Sequence, residues 1–156
     1  MNQEAIRADA ERKEVAEAVP PLDTIIGYKL RRAQLAVFQD FAESFSRLKL
    51  RPAEFSALAL IARQPGSKQS EIAEALGVKP ANLVALMDGL EKRGLAERRK
   101  TDTDRRSYSL YLTPKGERFV QTMAGVWRDH ENRMIEKLGG TEESRRFIAM
   151  LERVAG

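Results

Sequence analysis

The apolar residues of this chain recur at helical spacing as far as Leu95, alternate at every second position through Leu110 and Leu112, and return to helical spacing after "LTPKGE". A period near 3.6 demands helix and a period of 2 demands strand, so the chain must be built of helices interrupted by one short hairpin. The partner strand is "LAERR", and a charged stretch, "KTDTDRR", joins the two. The expected fold is therefore mainly α with a small β-hairpin.

Upstream of the hairpin, Ile26, Leu30, Ala33, Val37, Phe41, Phe45 and Leu48, with Phe38 and Ala42 widening the stripe, predict one amphipathic helix from Leu22 to Leu50. At 1.5 Å per residue it would reach roughly 40 Å, more than a small domain is wide, so a partner helix is expected to cover part of it. "RPAEFSALALIARQPG" places Pro52 in the first turn of a second helix that stops at "QPG". "KQSEIAEALGV" is a brief helix closed by Gly77, and "KPANLVALMDGLEKRGL" starts another near Pro80 and ends it at Gly94. Helix, glycine turn, helix is a helix-turn-helix pattern.

Beyond the hairpin, Val120, Met123, Trp127, His130, Met134 and Leu138 mark one face of a long helix, broken at Gly139 and Gly140. Thr141 is the expected N-cap of a last helix carrying Phe147, Ile148, Leu151 and Val154. Residues 4–19 favour helix by composition but offer only Ile6, Val15 and Val19 for packing before Pro20 and Pro21, which suits a mobile tail or an arm laid on a partner subunit. The chain thus divides into an extension (1–20), a helical region in two pieces (21–50 and 115–156) and a compact lobe (51–114).

Charge is concentrated rather than spread. Lys and Arg number 27 against 23 Asp and Glu, and the stretch from Lys92 to Arg106, with seven basic and three acidic residues, holds the whole excess. The absence of cysteine removes disulfides, thiolate metal sites and thiol nucleophiles, and one histidine, His130, leaves no multi-histidine metal site. Its setting, "DHENRM", lacks the second histidine of a zinc-protease helix, so a buried or seam histidine is expected. No run of about 20 apolar residues is present and the N-terminus is charged where a signal peptide would be apolar, which predicts a soluble cytoplasmic protein. With no paired carboxylates, phosphate loop or triad, neither an enzyme nor a cofactor is expected.

A helix fits the DNA major groove, and the first turn of the second helix in a helix-turn-helix faces base edges. Here that turn is Lys79, Pro80, Ala81 and Asn82, with Ala85 one turn on. The Asn82 amide suits adenine, Lys79 a phosphate, and Ala81 and Ala85 thymine methyls; Gln69 and Ser70, opening the preceding helix, complete the set. Two adjacent arginines at a loop tip repel each other and solve no folding problem, yet they suit a minor groove. Arg105 or Arg106 is the expected groove-entering residue, Asp104 the ion-pair partner that orients it, and Arg98, Arg99 and Lys100 the phosphate contacts. The competing readings are a small-residue packing face for the helix and a solvated charge run for the hairpin.

The segments "QSEIAEALGV", "LMDGLEKRGL" and "DRRSYSLYLTPKG" resemble the MarR-type winged helix-turn-helix regulators, and the order of helices matches from Leu22 to Gly156. The resemblance implies a homodimer in which the first and last two helices interlock, a palindromic duplex site, repression as the usual mode, and a ligand pocket between the dimer base and the DNA-reading lobe. Half-sites about one helical turn apart follow from the two-fold axis. Two departures stand out: Lys68 replaces the usual Ser or Thr cap, and Thr101 and Asp102 stand where Asp-Pro is common. Lack of cysteine argues against the peroxide-sensing branch of the family, and a single histidine against its zinc-sensing branch.

For the pocket, Phe38, Phe41, Phe55 and Trp127 are the expected apolar walls, with Arg31, Arg32 and His130 facing an anionic effector, an aromatic carboxylate or an aromatic acyl-CoA. The same aromatics equally suit a core or a dimer seam. Two further readings are a constitutive DNA-binding protein without an effector, and a helical protein-interaction module whose basic hairpin meets an acidic partner. Steep salt dependence on duplex DNA distinguishes the last from the others.

Overall fold

A computed structural model describes residues 3–100 and 108–156, with side chains from Arg7 onward. The chain divides into two compact units, residues 1–38 and 39–156.

In the first unit the extension is helical: α1 spans Gln3–Glu17. Its Ala, Glu and Arg content favours that state, and ion pairs one turn apart, Arg7 to Glu11 at 3.1 Å and Lys13 to Glu17 at 4.0 Å, run along it. After Pro20 and Pro21 a single 3-10 turn, Leu22–Thr24, is closed by Thr24 Oγ1 donating to the Pro21 carbonyl at 2.7 Å. Helix α2, Ile26–Ser44, follows.

The expected helix from Leu22 to Leu50 is thus shorter at both ends, 19 residues or about 28 Å. At its C-terminal end the hydrogen bonds tighten, Leu48 N–H to the Phe45 carbonyl and Lys49 N–H to that of Ser46, and Lys49 turns left-handed at φ 48°. One limit is local: a helix continued through Leu48 would need an N–H from residue 52, and Pro52 has none. The Leu48 and Lys49 carbonyls are taken instead by Arg93, which donates to them at 2.9 and 3.1 Å. An apolar stripe does not report that contact, because Leu48 is apolar in either geometry.

The core of the second unit gathers Phe41, Phe45, Leu58, Ile61, Ile72, Leu83, Met87, Leu90, Leu95, Leu110 and Met123. Helix α3, Pro52–Arg63, begins with Pro52 at its first position and Glu54 accepting the Arg51 N–H at 2.9 Å. Burial pushes the Glu54 carboxyl up, but its Arg51 hydrogen bonds and the Arg93 charge 3.8 Å away outweigh that and hold it below the ordinary value. Helix α4, Gln69–Ala75, keeps half of a capping box: Glu71 accepts the Lys68 N–H at 2.8 Å, so lysine at the cap removes only the other half. Gly77, at φ 62°, ends α4 as a Schellman turn, with Gly77 N–H on the Glu74 carbonyl and Val78 N–H on that of Ala73. Gly94 repeats the arrangement after α5, Pro80–Lys92.

Strands β1, Ala96–Lys100, and β2, Tyr108–Leu112, pair antiparallel with Ala96 opposite Leu112 and Lys100 opposite Tyr108. The linker into α4 adds a third edge: Gly66 N–H donates to the Leu110 carbonyl at 2.9 Å, and Leu110 N–H to the Ser67 carbonyl at 3.0 Å. Helix α6, Pro114–Leu138, is capped by Thr113, whose Oγ1 accepts the Gly116 N–H at 3.0 Å and donates to the Gly94 carbonyl at 2.6 Å. Helix α7 spans Thr141–Ala155, and its cap is Gly140 rather than the expected Thr141, which is already helical. The reason is steric: the cap sits at φ 116°, a conformation open to glycine and costly for threonine. Along α6 and α7, Trp127, Leu138, Ile148, Met150, Leu151 and Val154 are exposed.

Candidate nucleic-acid interface

Helix α5 turns Leu83, Met87 and Leu90 into the core, so its 3.6-residue period carries Lys79, Pro80, Ala81, Asn82 and Ala85 to the solvent side. Among the described residues nothing holds the Asn82 amide, leaving both its donor and its acceptor available. Ser70 is exposed and Gln69 half-buried at the start of α4. On β1, Arg99 and Lys100 are exposed; the Arg99 guanidinium lies 4.2 Å from the Tyr111 ring centroid and donates to Glu97 at 2.8 Å. Asp104, Arg105 and Arg106 lie outside the described residues.

Arg98 does not have the setting expected of a phosphate contact. Its side chain is 17% exposed, and all five of its N–H donors are taken within the lobe. Nε donates to Gln69 Oε1 at 3.0 Å; one terminal nitrogen donates to Asp88 at 2.8 Å and Glu91 at 2.9 Å; the other donates to the Val84 carbonyl at 2.9 Å and again to Asp88 at 2.8 Å. The Arg98 backbone N–H donates to Glu91 as well, at 2.9 Å. The signal for this was in the register. Arg98 shares a strand face with buried Ala96 and stands opposite buried Leu110, so it points inward.

The aromatic candidates divide between buried and exposed settings. Phe41 stacks on Phe45 with centroids 4.1 Å apart, Phe55 meets both edge-on, and His130 meets Phe41 edge-on at 5.6 Å. Phe41 is 6% and His130 4% exposed, so these rings fill the space against one another instead of lining an open pocket. Trp127 is 40% exposed on α6; Arg31, Arg32 and Phe38 are exposed on the first unit. None of these residues borders the cleft of about 240 Å³ that lies between Ile61, Tyr111, Leu112, Glu117 and Val120 behind the hairpin.

Sequence reasoning overlooked the group that holds His130. Asp40 receives His130 Nδ1 at 2.7 Å and Arg133 at 2.7 Å, with Lys137 at 3.8 Å; Arg133 also donates to Ser44. Hydrogen bonds from Arg133 and then His130 hold the Asp40 carboxyl far below the usual carboxylate range. The available signal was the spacing of His130, Arg133 and Lys137, which share one face of α6.

Among the described residues no cluster of three or more His, Cys, Asp or Glu could hold a metal, and no helix is long and apolar enough to cross a membrane. The profile of the MarR family matches residues 48–107. A protein of Thauera aromatica named for transcriptional regulation of the hcr operon is 37% identical over 102 residues, 65% of this chain and 60% of that one. The transcriptional repressor MdtR of Bacillus subtilis is 35% identical over 95 residues, 58% of this chain and 61% of that one. The chain therefore spans about three-fifths of these relatives. A solved structure of the transcriptional repressor CouR bound to a 23-mer DNA duplex is 40% identical, covers 86% of this chain and 95% of that one, and superposes with a TM-score of 0.83. The same repressor bound to p-coumaroyl-CoA gives 38% identity, the corresponding coverages being 86% and 94%, with a TM-score of 0.79. A helix-turn-helix joined to a hairpin, flanked by long helices and matched to these proteins over most of its length, makes this chain a member of the MarR family, whose fold is that of transcriptional regulators.

Proposed function

We propose that the protein is a ligand-responsive transcriptional repressor that binds a palindromic duplex operator as a homodimer and releases it when an aromatic acyl-CoA binds. The observation that carries the DNA reading is the exposed first turn of α5, with Asn82 between Lys79 and Ala85, on the same lobe as exposed Arg99 and Lys100. A groove-entering turn supplies base contacts and the strand cations supply phosphate contacts. Arg105 or Arg106, oriented by Asp104, belongs to the same reading as the minor-groove arm. The 40% identity to a repressor bound to a DNA duplex supports it.

The apolar residues exposed on α6 and α7 suit a two-fold interface, since a second copy presents the same stripe to each and sets two reading helices on one side of a duplex. For the effector, an acyl-CoA is favoured over a simple carboxylate because the repressor bound to p-coumaroyl-CoA is 38% identical over most of this chain. Its aryl group would enter among Phe41, Phe55 and His130 only if those rings part. Release requires that the ligand prefer the dimer shape whose heads are misspaced; equal affinity for both shapes would shift nothing.

The test is a fluorescence-anisotropy titration. A duplex selected by the protein from a random pool is bound, and p-coumaroyl-CoA, free p-coumarate and CoA are then added separately. The expected result is release by the thioester at concentrations where the other two do nothing. Release by none of them, or equally by CoA alone, contradicts the effector assignment while leaving DNA binding standing.

A further inference from the structure

We infer that Arg98 is a positioning residue: it ties the hairpin, the first residue of α4 and the middle of α5 into one rigid reading head, and it fixes which end of the Gln69 amide faces the duplex. This rests on the DNA-binding reading above. From β1, Arg98 reaches two other elements at once, bonding Gln69 on α4 and Val84, Asp88 and Glu91 on α5. Since every donor on the side chain is committed, contact with a phosphate would require one of those bonds to break.

The consequence for Gln69 follows from what guanidinium can do. It donates and never accepts, so the atom of Gln69 that meets Arg98 Nε at 3.0 Å must be the carbonyl oxygen. Among the described residues the amide nitrogen is then the end not engaged by Arg98, so Gln69 turns its two N–H donors to the duplex while its oxygen stays beside the guanidinium. Donors suit phosphate oxygens, so Gln69 becomes a backbone-positioning contact whose polarity is set by Arg98. Among the described residues Asn82 carries no such constraint, and its amide offers a base edge both donor and acceptor.

A phosphate contact and a positioning residue leave different signatures. Removing a phosphate contact weakens binding about equally on all sequences and flattens the salt slope by about one. Removing the tie misaligns base-reading groups; losing one good base contact costs on the order of tenfold in specific affinity, with non-specific affinity and salt slope unchanged. The acidic partners sharpen the contrast. Asp88→Ala takes a negative charge off the lobe, so electrostatics alone predict tighter DNA binding, whereas loss of the tie predicts weaker binding to the selected duplex.

The experiment measures affinity of the full chain for its selected duplex and for a scrambled one across salt, in wild type, Arg98→Met, Asp88→Ala and Arg99→Met. Expected are about tenfold losses for Arg98→Met and Asp88→Ala confined to the selected duplex, and a uniform loss with a flatter slope for Arg99→Met. If Arg98→Met lacks a cooperative unfolding transition, Asp88→Ala, on a half-exposed side chain, carries the test alone. A second readout is coupling: Gln69→Ala should cost less in the Arg98→Met background than in wild type. Arg98→Met behaving like Arg99→Met, or Asp88→Ala tightening the selected duplex, overturns the inference. Wild type that ignores the duplex is a separate result and counts against the DNA-binding reading itself.

Discussion

Replacing Gly116 by alanine places a Cβ 1.8 Å from the Leu95 carbonyl oxygen and 2.8 Å from its carbonyl carbon. Both atoms are backbone, so no rotamer change relieves the clash, and α6 must move away by more than an ångström. Three bonds run across that seam, Thr113 N–H to the Leu95 carbonyl at 3.2 Å, Thr113 Oγ1 to Gly94 at 2.6 Å and Lys115 Nζ to the Arg93 carbonyl at 2.7 Å, and the cap of α6 itself, Gly116 N–H to Thr113 Oγ1 at 3.0 Å, sits against it. Overpacking of this kind costs about 1–3 kcal/mol, and losing one or two of the bonds adds about 1 kcal/mol each. A total near 3–4 kcal/mol should lower the melting temperature by roughly 6–16 °C in a chain of this size. Circular dichroism melts and urea titrations at fixed protein concentration measure it directly. A Gly116→Ala protein melting within 2 °C of wild type would mean that the close approach of α6 to Leu95 is not as described.

Other substitutions test other parts of the account. Asn82→Ala should weaken the selected duplex by about 1–3 kcal/mol and relax preference at one base position per half-site while leaving the salt slope alone, as read by anisotropy on single-base variants. Asp40→Asn should destabilise at neutral pH. Because the folded carboxyl titrates below its unfolded value near 4, the stability it supplies is present above that value and lost as pH falls through the folded one, so the gap between wild type and variant should narrow below about pH 4 in urea titrations. Ile148→Asp together with Val154→Asp puts charge on exposed apolar positions of α7 and should shift the protein toward monomer in analytical ultracentrifugation, with DNA affinity falling alongside.

Much of the lobe was legible because its signals are local. Pro52 and Pro80 start helices by their fixed φ, Gly77 and Gly94 end them in left-handed turns, and Leu110 and Leu112 announce a strand by alternation. What escaped depends on partners distant in sequence. The carbonyls that follow α2 are taken by Arg93, more than forty residues on, and the Asp40 group spans ninety. Charge-run reasoning treated Arg98, Arg99 and Lys100 alike, although strand alternation alone separates inward Arg98 from outward Arg99. The aromatic residues were ambiguous for a deeper reason: a ring that packs a core and a ring that walls a pocket obey the same helical spacing. In the fold Phe41 stacks on Phe45 at 4.1 Å while Phe38 and Trp127 stay exposed, a division that spacing does not report.

The most direct test of the central claim is the dependence of binding on salt for a duplex recovered by selection from random sequence. An inverted repeat with half-sites about one helical turn apart is expected, and a logarithm of affinity that falls linearly and steeply with the logarithm of salt concentration. Recovery of no enriched sequence, together with binding indifferent to salt, would contradict that claim.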